Sequence, residues 1–415
     1  MEDTVKTSDT KFSFYQKLMI VILTLLQFTI VLDFMVLAPL GDFLMKSLDM
    51  SPKGFGLVVS SYAFSAAASG IIAAGFADKF DRKKILLFFY SGFILGTLGC
   101  ALATSYFMLL IARTITGLFG GVIGAISMAI VADIFANSQR GRVMGYIQMA
   151  FAVSQIMGIP FSLYIANMLD WHAVFFMIVC VASLLLLFVV FKVKPINKHL
   201  ELQTDKNPFL HLWQAVVNPS YQTGFIATSL VSIGGFMMMP FSSAYLINNI
   251  KITHEQLPMV FMFTGVASMI MMPLIGRLSD RVDKFRLFTA GSVLAIIMIL
   301  IYTNLVPIPL WLIIVINMIL FMGIMSRTIP ATTLTMSVPD LKDRGAFMSI
   351  NASMQQMAGG LGALAAGFIV TQKSSSSPLE NYDILGIVVS GLVLLCIFLV
   401  FRVSKMVKSK ALQAS

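Results

Sequence analysis

The sequence predicts an all-α membrane protein with 12 transmembrane helices in two pseudo-symmetric six-helix bundles, both termini lying in the cytoplasm. Three observations carry this reading. First, the 415 residues are 58% hydrophobic and 12% charged, with mean hydropathy +0.89, against about 25% charged residues in soluble domains. Second, the apolar residues lie in long, nearly uncharged runs, the length that crosses hydrocarbon, where only closed backbone hydrogen bonding is tolerated. Third, charged loop patterns recur about two hundred residues apart.

The predicted spans are 18–46, 55–77, 85–104, 107–134, 144–168 and 172–191, then 217–247, 257–279, 287–304, 309–338, 346–370 and 382–402. The first six form an N-terminal bundle (18–191) and the last six a C-terminal bundle (217–402). Residues 1–17 read as a cytoplasmic tail, too long and too acidic for a signal-peptide head, so the first span is retained. Residues 192–216 form the longest polar interruption and a cytoplasmic linker. Its end, FLHLWQAVV, suits a short interfacial helix; His199 and His211 read as exposed loop residues, not metal ligands. Residues 403–415 read as a basic cytoplasmic tail.

Charge supports this topology. The net charge of +10 sits in short gaps between apolar runs, beside aspartates, with no polar domain to carry a nucleic-acid-binding face. With both ends inside, twenty-three Lys and Arg fall in inner segments and only Lys46, Lys53, Lys251 and Lys373 in outer ones. That asymmetry orients a membrane protein. Cys100, Cys180 and Cys396 each lie in an apolar run and read as packing residues.

The repeats add a second layer. DKFDR at 78–82 matches DRVDK at 280–284, both aspartate pairs offset by 202 residues. QRGRVMGYIQ at 139–148 is echoed by DRGAFMSINA at 343–352. Ala66, Gly70, Ala74 and Asp78 are four apart, a small-residue stripe that lets another helix approach. Asp78 at its inner end is placed to pair with a helix N-terminus or with a base such as Arg140 or Arg142. A partly desolvated pair of that kind suits a latch that breaks and reforms. Topology alone would need only bases, without the repeated acids. Gly359, Ala363 and Gly367 make a similar stripe.

These residues resemble the major facilitator superfamily. Its loop signature after the second span is matched by Asp78, Arg82 and Lys83; Ala74 stands at the first glycine position, with Gly75 displaced by one, and Asp81 at the second. Gly276, Asp280 and Lys284 match in the second half, where Asp283 again replaces glycine. LLIARTITGLFGGVIG, with Arg113, Gly117 and Gly121, is similar to the family's buried-arginine span. Gly158, Pro160 and Trp171 resemble drug-efflux members, with His172 in an arginine's place. Leu32, Asp33, Ala38 and Pro39 resemble the first span of proton-coupled exporters, and the Gly-Ile-Pro stretch also looks like sugar or nucleoside exporters. The resemblance implies a non-enzymatic secondary transporter of the inner (cytoplasmic) membrane, working by alternating access between parallel six-helix repeats. It implies proton-coupled export of apolar or cationic small molecules.

The embedded charges sharpen that expectation. A carboxylate in hydrocarbon faces a cavity or a partner. At Asp33 a proton and a substrate cation can compete for one site. Arg113 stays charged, so it biases an acid, holds an anion or braces packing. Asp133 is expected to meet Arg82 or Arg140 at the inner gate. Arg327 precedes Pro330, a potential kink, and reads equally as a cavity residue or a structural one. Gln355 and Gln356 are candidate polar cavity donors, and MMMP at 237–240 with the phenylalanines suits an apolar cavity wall. Arg344 belongs with the gate bases. No Walker lysine motif, CxxC or HExxH occurs, so the expected energy source is a proton gradient, sodium being the other option, with no cofactor or metal. The expected partners are the bilayer and a small-molecule substrate, with the monomer as the functional unit. The alternatives are a symporter or facilitator for a polar or anionic metabolite, motivated by Arg113 and Arg327, and a non-transporting receptor or scaffold.

Overall fold

The computed structural model describes residues 12–76, 79–197, 200, 208–340 and 343–414. The described residues form helices α1 (Phe14–Val36), α2 (Gly41–Ser47), α3 (Pro52–Phe76), α4 (Arg82–Ala101), α5 (Tyr106–Ile134), α6 (Asn137–Val153), α7 (Ile159–Met168) and α8 (Trp171–Lys192) in the first half. In the second half α9 (Pro208–Val217), α10 (Pro219–Met238), α11 (Ser242–Asn248), α12 (Leu257–Arg281), α13 (Lys284–Thr303), α14 (Leu310–Met336), α15 (Arg344–Ile369) and α16 (Tyr382–Ala414) follow.

The helices begin where short polar side chains can accept from free N–H groups. Ser13 and Gln16 form a capping box at α1. Ser105 accepts from Met108 N at 3.3 Å, which separates α4 from α5 despite the short gap between them. Asp170 accepts from Ala173 N at 3.0 Å and starts α8. Asn218 caps α10, with Pro219 at the first helical position.

Several predicted spans are not single helices. The first, 18–46, breaks after Val36, and Pro39 lies between α1 and α2. The seventh, 217–247, breaks in the same way: a 3₁₀ turn at Met239–Phe241 containing Pro240 separates α10 from α11. Proline removes a backbone donor and disfavours helix in the residue before it. The two breaks are equivalent in the repeat, Pro39 and Pro240 being 201 positions apart. The fifth span, 144–168, contains a π-helical turn at Ser154–Gly158 just before Pro160. Residues 403–414, read as a basic tail, continue α16 as helix to Ala414. A short helix, α9, forms where the linker was expected to hold one, with Trp213 exposed and Ala215 buried.

Eleven helical stretches among the described residues are long and apolar enough to cross a membrane. The predicted eleventh span, 346–370, is a single helix, α15, but is not among them. Its Ser349, Asn351, Ser353, Gln355 and Gln356 replace aliphatic residues, and it packs along α3.

Small residues set that packing. A Cβ on Gly56 would lie 2.8 Å from the carbonyl oxygen of Ala363 and 3.2 Å from Gly367 Cα, so α3 and α15 touch backbone to backbone. Gly121 of α5 is as tight: a Cβ would fall 2.6 Å from Ala66 Cα of α3, and Gly117 is covered by Tyr62 and Ser65. Gly158 packs on Leu32 and Gly359 on Phe236. The second seam between halves joins the π turn and α7 to α12, where Gly265 lies against the backbone of Gln155 and Ile156.

Candidate functional site

Asp33 lies one turn before the end of α1, and Arg113 two turns into α5. Arg113 Nη1 donates to Asp33 Oδ2 at 2.7 Å, and both side chains have 0% exposure. Thr97 of α4 donates to Asp33 Oδ1 at 3.3 Å. The guanidinium lies 4.5 Å over the ring of Tyr62, a cation–π contact from α3. Arg113 Nε and Nη2 have no acceptor. Four helices of the first half thus converge on an ion pair whose guanidinium is only partly satisfied. A carboxylate is acceptor-only when ionised and a donor when protonated, so adding a proton removes the charge that holds Arg113.

Beside the pair is an enclosed apolar space of about 10 Å³, near the size of one water. Phe34 and Val59 line it from the first half, Phe236, Met239 and Pro240 from the second. The Phe34 and Phe236 rings meet across the halves at 5.7 Å. Of the expected Met-rich wall, Met239 and Pro240 line this space, whereas Met237 belongs to the buried core.

Arg327 is 3% exposed on α14, which continues through Pro330. It contacts the Cys396 thiol of α16, and its Nε has no acceptor. Gly234 of α10 faces Arg327 Nη1 and Val389: a Cβ there would lie in ordinary contact with each at 3.9 Å. No carboxylate pairs with Arg327 among the described residues. Gln355 and Gln356 are partly buried on α15.

At the basic end of the bundle, Asp78 lies outside the described residues, as do the side chains of Gly75's neighbours and of Arg344. Asp81 is a helix cap: its Oδ1 accepts from Lys83 N at 2.8 Å and from Ile196 N at 3.4 Å. Lys83 Nζ donates to the Val190 carbonyl at 2.8 Å. Arg82 Nε reaches Asp133 Oδ2 at 3.1 Å, the expected partner, but the bond ties α4 to α5 within one half. Arg140 donates to the carbonyls of Phe135 and Ala132 at 3.1 and 2.6 Å, and Arg142 lies 5.7 Å from the Phe12 ring. In the second half Asp283 caps α13 through Arg286 N at 3.0 Å and accepts from Lys408 Nζ at 2.7 Å. The Lys408 bond, with the Arg286 N–H, holds the Asp283 carboxyl below the usual carboxylate range. Asp280 is exposed, Gly276 faces open space, and Lys284 begins α13.

The opposite end holds a cluster that sequence reasoning did not single out. Asp42 of α2 has 0% exposure. Its Oδ2 accepts from Lys46 Nζ at 2.8 Å and faces His254 Nε2 at 3.3 Å; its Oδ1 accepts from Asn248 Nδ2 at 2.6 Å. Asp42 and Lys46 were one helical turn apart in the sequence, but nothing there aligned them with the second half.

A sequence profile described as the Major Facilitator Superfamily matches residues 23–363 and again 224–414. The chain belongs to that superfamily. It is therefore a multi-pass membrane transporter of small molecules, and not an enzyme. It is 26% identical over 270 residues to the uncharacterized MFS-type transporter YceJ of Bacillus subtilis (strain 168), covering 64% of this chain and 68% of that protein. It is 28% identical over 204 residues to multidrug resistance protein 3 of the same organism, covering 49% of this chain but only 38% of that protein. Its fold matches the crystal structure of a bacterial homologue of the human lysosomal transporter Spinster, inward-facing and unoccupied, with TM-score 0.79 at 16% identity over 96% of this chain and 99% of that one.

Proposed function

We propose that this transporter is a proton-coupled exporter working by alternating access, with Asp33 and Arg113 as its coupling pair. The observation that carries the reading is the fully buried bond between them, left half-satisfied on the arginine side. Protonating Asp33 frees the guanidinium to reorganise beside the seam of the two halves. Deprotonation draws it back. Breaking one side of a buried pair costs about 3–5 kcal/mol, so the two protonation states favour different arrangements. A substrate cation would compete with both the proton and Arg113 for the carboxylate. The walls from Phe34, Phe236 and Met239 suit an apolar body. The similarity to a multidrug resistance protein supports export of such molecules.

In this reading α15 also crosses the membrane, which brings the crossings to twelve, the basic end faces the cytoplasm, and the monomer in the inner membrane is the working unit. The test is flux in proteoliposomes under an imposed pH gradient, with sodium replaced in a control. Native protein moves substrate with the gradient, and Asp33→Asn does not. Equal gradient-driven flux in both proteins removes Asp33 from coupling, and flux that follows sodium replaces the proton.

One observation favours a second reading. Arg327 is a buried cation without a carboxylate among the described residues, an expensive arrangement that an anionic substrate group would relieve. A substrate panel separates the two: uptake of carboxylates or phosphates that is lost in Arg327→Gln supports the polar-metabolite reading.

A further inference from the structure

The cluster around Asp42 joins the two halves of the chain at the end opposite the basic loops. Asp42, Phe43 and Lys46 come from α2 of the first half; Asn248 ends α11 and His254 precedes α12 in the second. Three further contacts cross at the same level. Ser243 Oγ donates to the Ala38 carbonyl at 2.7 Å, Asn167 Nδ2 of α7 donates to the His254 carbonyl at 2.9 Å, and the Phe43 and His254 rings lie 4.5 Å apart.

From this geometry we infer that His254 is a proton-binding site that locks this end of the transporter shut when neutral and releases it when protonated. Asp42 offers the ring a single place: its Oδ1 is taken by Asn248, and its Oδ2, already accepting from Lys46, has one lone pair left, which Nε2 faces in either protonation state. A neutral ring can donate from Nε2 to Oδ2, leaving Nδ1 a bare lone pair. His254 Nδ1 is buried with no partner. A second proton placed there creates an N–H with no acceptor, next to the Lys46 ammonium. Burying an unmatched donor costs about 1–3 kcal/mol, more when charged.

Burial, with Lys46, pushes the His254 imidazole below its ordinary value against the opposing pull of Asp42. Asp42 and Lys46 are the charged groups acting on it from α2; Glu255 and Lys251 on its own loop point into solvent. The sign follows. Once the halves part, His254 enters water and regains a value of about 6.5. The open arrangement then binds the proton more tightly, so closure is fully supported above about pH 6.5 and weakens as pH falls below it. The open-to-closed ratio shifts by up to about tenfold for each unit separating the two values.

The inference rests on alternating access but not on Asp33, and the test reads opening without transport. Spin labels are placed at Lys53→Cys and Lys251→Cys, both exposed and on opposite halves, in a background with Cys100, Cys180 and Cys396 replaced by Ser. Distance distributions are compared at pH 8 and pH 5 in nanodiscs, where both faces meet the same pH. The expected result is a longer-distance population that grows several-fold at pH 5 and is absent in His254→Gln, which stays closed at both values. The pH response should persist in Asp33→Asn, which separates this site from the coupling pair. Asp42→Asn, which weakens the grip on Lys46 and Asn248, should open at both pH values. A native protein with no pH-dependent widening, or a His254→Gln variant that widens as the native protein does, overturns the inference.

Discussion

Asp81 and Asp283 stand 202 positions apart and make the same bond, each accepting from a backbone N–H in the first turn of the helix that follows, at 2.8 Å from Lys83 N and 3.0 Å from Arg286 N. The acid that replaces glycine in both copies of the loop signature is thus a helix cap. Replacing Asp283 with Ala should cost about 0.5–2 kcal/mol. Asp81→Ala should cost a similar amount, since each acid also has a second partner, Ile196 of the linker for Asp81 and Lys408 for Asp283. Thermal unfolding in detergent measures both.

Acid should weaken the Asp283 anchor in a defined direction. Its carboxyl lies below the usual range because Lys408 and Arg286 N–H favour the ionised form. The support it gives α13 and the end of α16 is therefore whole above the ordinary carboxylate value of about 3.9 and is lost as pH falls through its own lower one. Hydrogen exchange across residues 402–409 should quicken there first, and Lys408→Met should remove the pH dependence.

Removing Arg113 alone leaves a buried carboxylate without its cation. Arg113→Ala should destabilise the protein by about 3–5 kcal/mol, while Asp33→Asn with Arg113→Gln should recover most of that loss. Urea or thermal unfolding of the three proteins checks this. A double variant no more stable than Arg113→Ala would mean that packing, not charge, dominates at α5.

The seam between α3 and α5 should tolerate no side chain on Gly121. A Cβ there meets Ala66 at 2.6 Å, so Gly121→Val must push two helices apart and should abolish folded protein on size exclusion. Gly145→Ala, where nothing lies within 4 Å, should leave yield and melting unchanged.

The helical architecture was legible because hydrocarbon imposes it. Long apolar runs must close their own hydrogen bonds, and the basic loops punctuate them. The breaks were not legible at the level of hydropathy: residues 37–40 and 239–241 are as apolar as their neighbours, and only Pro39 and Pro240 hinted that the helix stops. Arg113 and Asp33 stood out because each is a lone charge in an apolar run, but their mutual distance depends on how α1 and α5 pack. The pairing of Arg82 with Asp133 was expected, and both fall in the predicted N-terminal bundle; that Asp133 takes Arg82 rather than Arg140 required the fold. Asp42 and His254 were missed because Asp42 falls near the end of a predicted span and His254 in a short loop, and only the fold reveals that the first is sealed from water beside the second.

The matched prolines give the two halves joints at equivalent places in the repeat. Each short segment beyond its joint, α2 or α11, carries one jaw of the closed end. Such jaws can swing on local backbone rotation, while the long helices beneath them keep their close-packed glycine contacts. Helices so tightly seated at Gly56 and Gly121 have little freedom to slide, so pivoting at the tips is the cheaper movement for this chain.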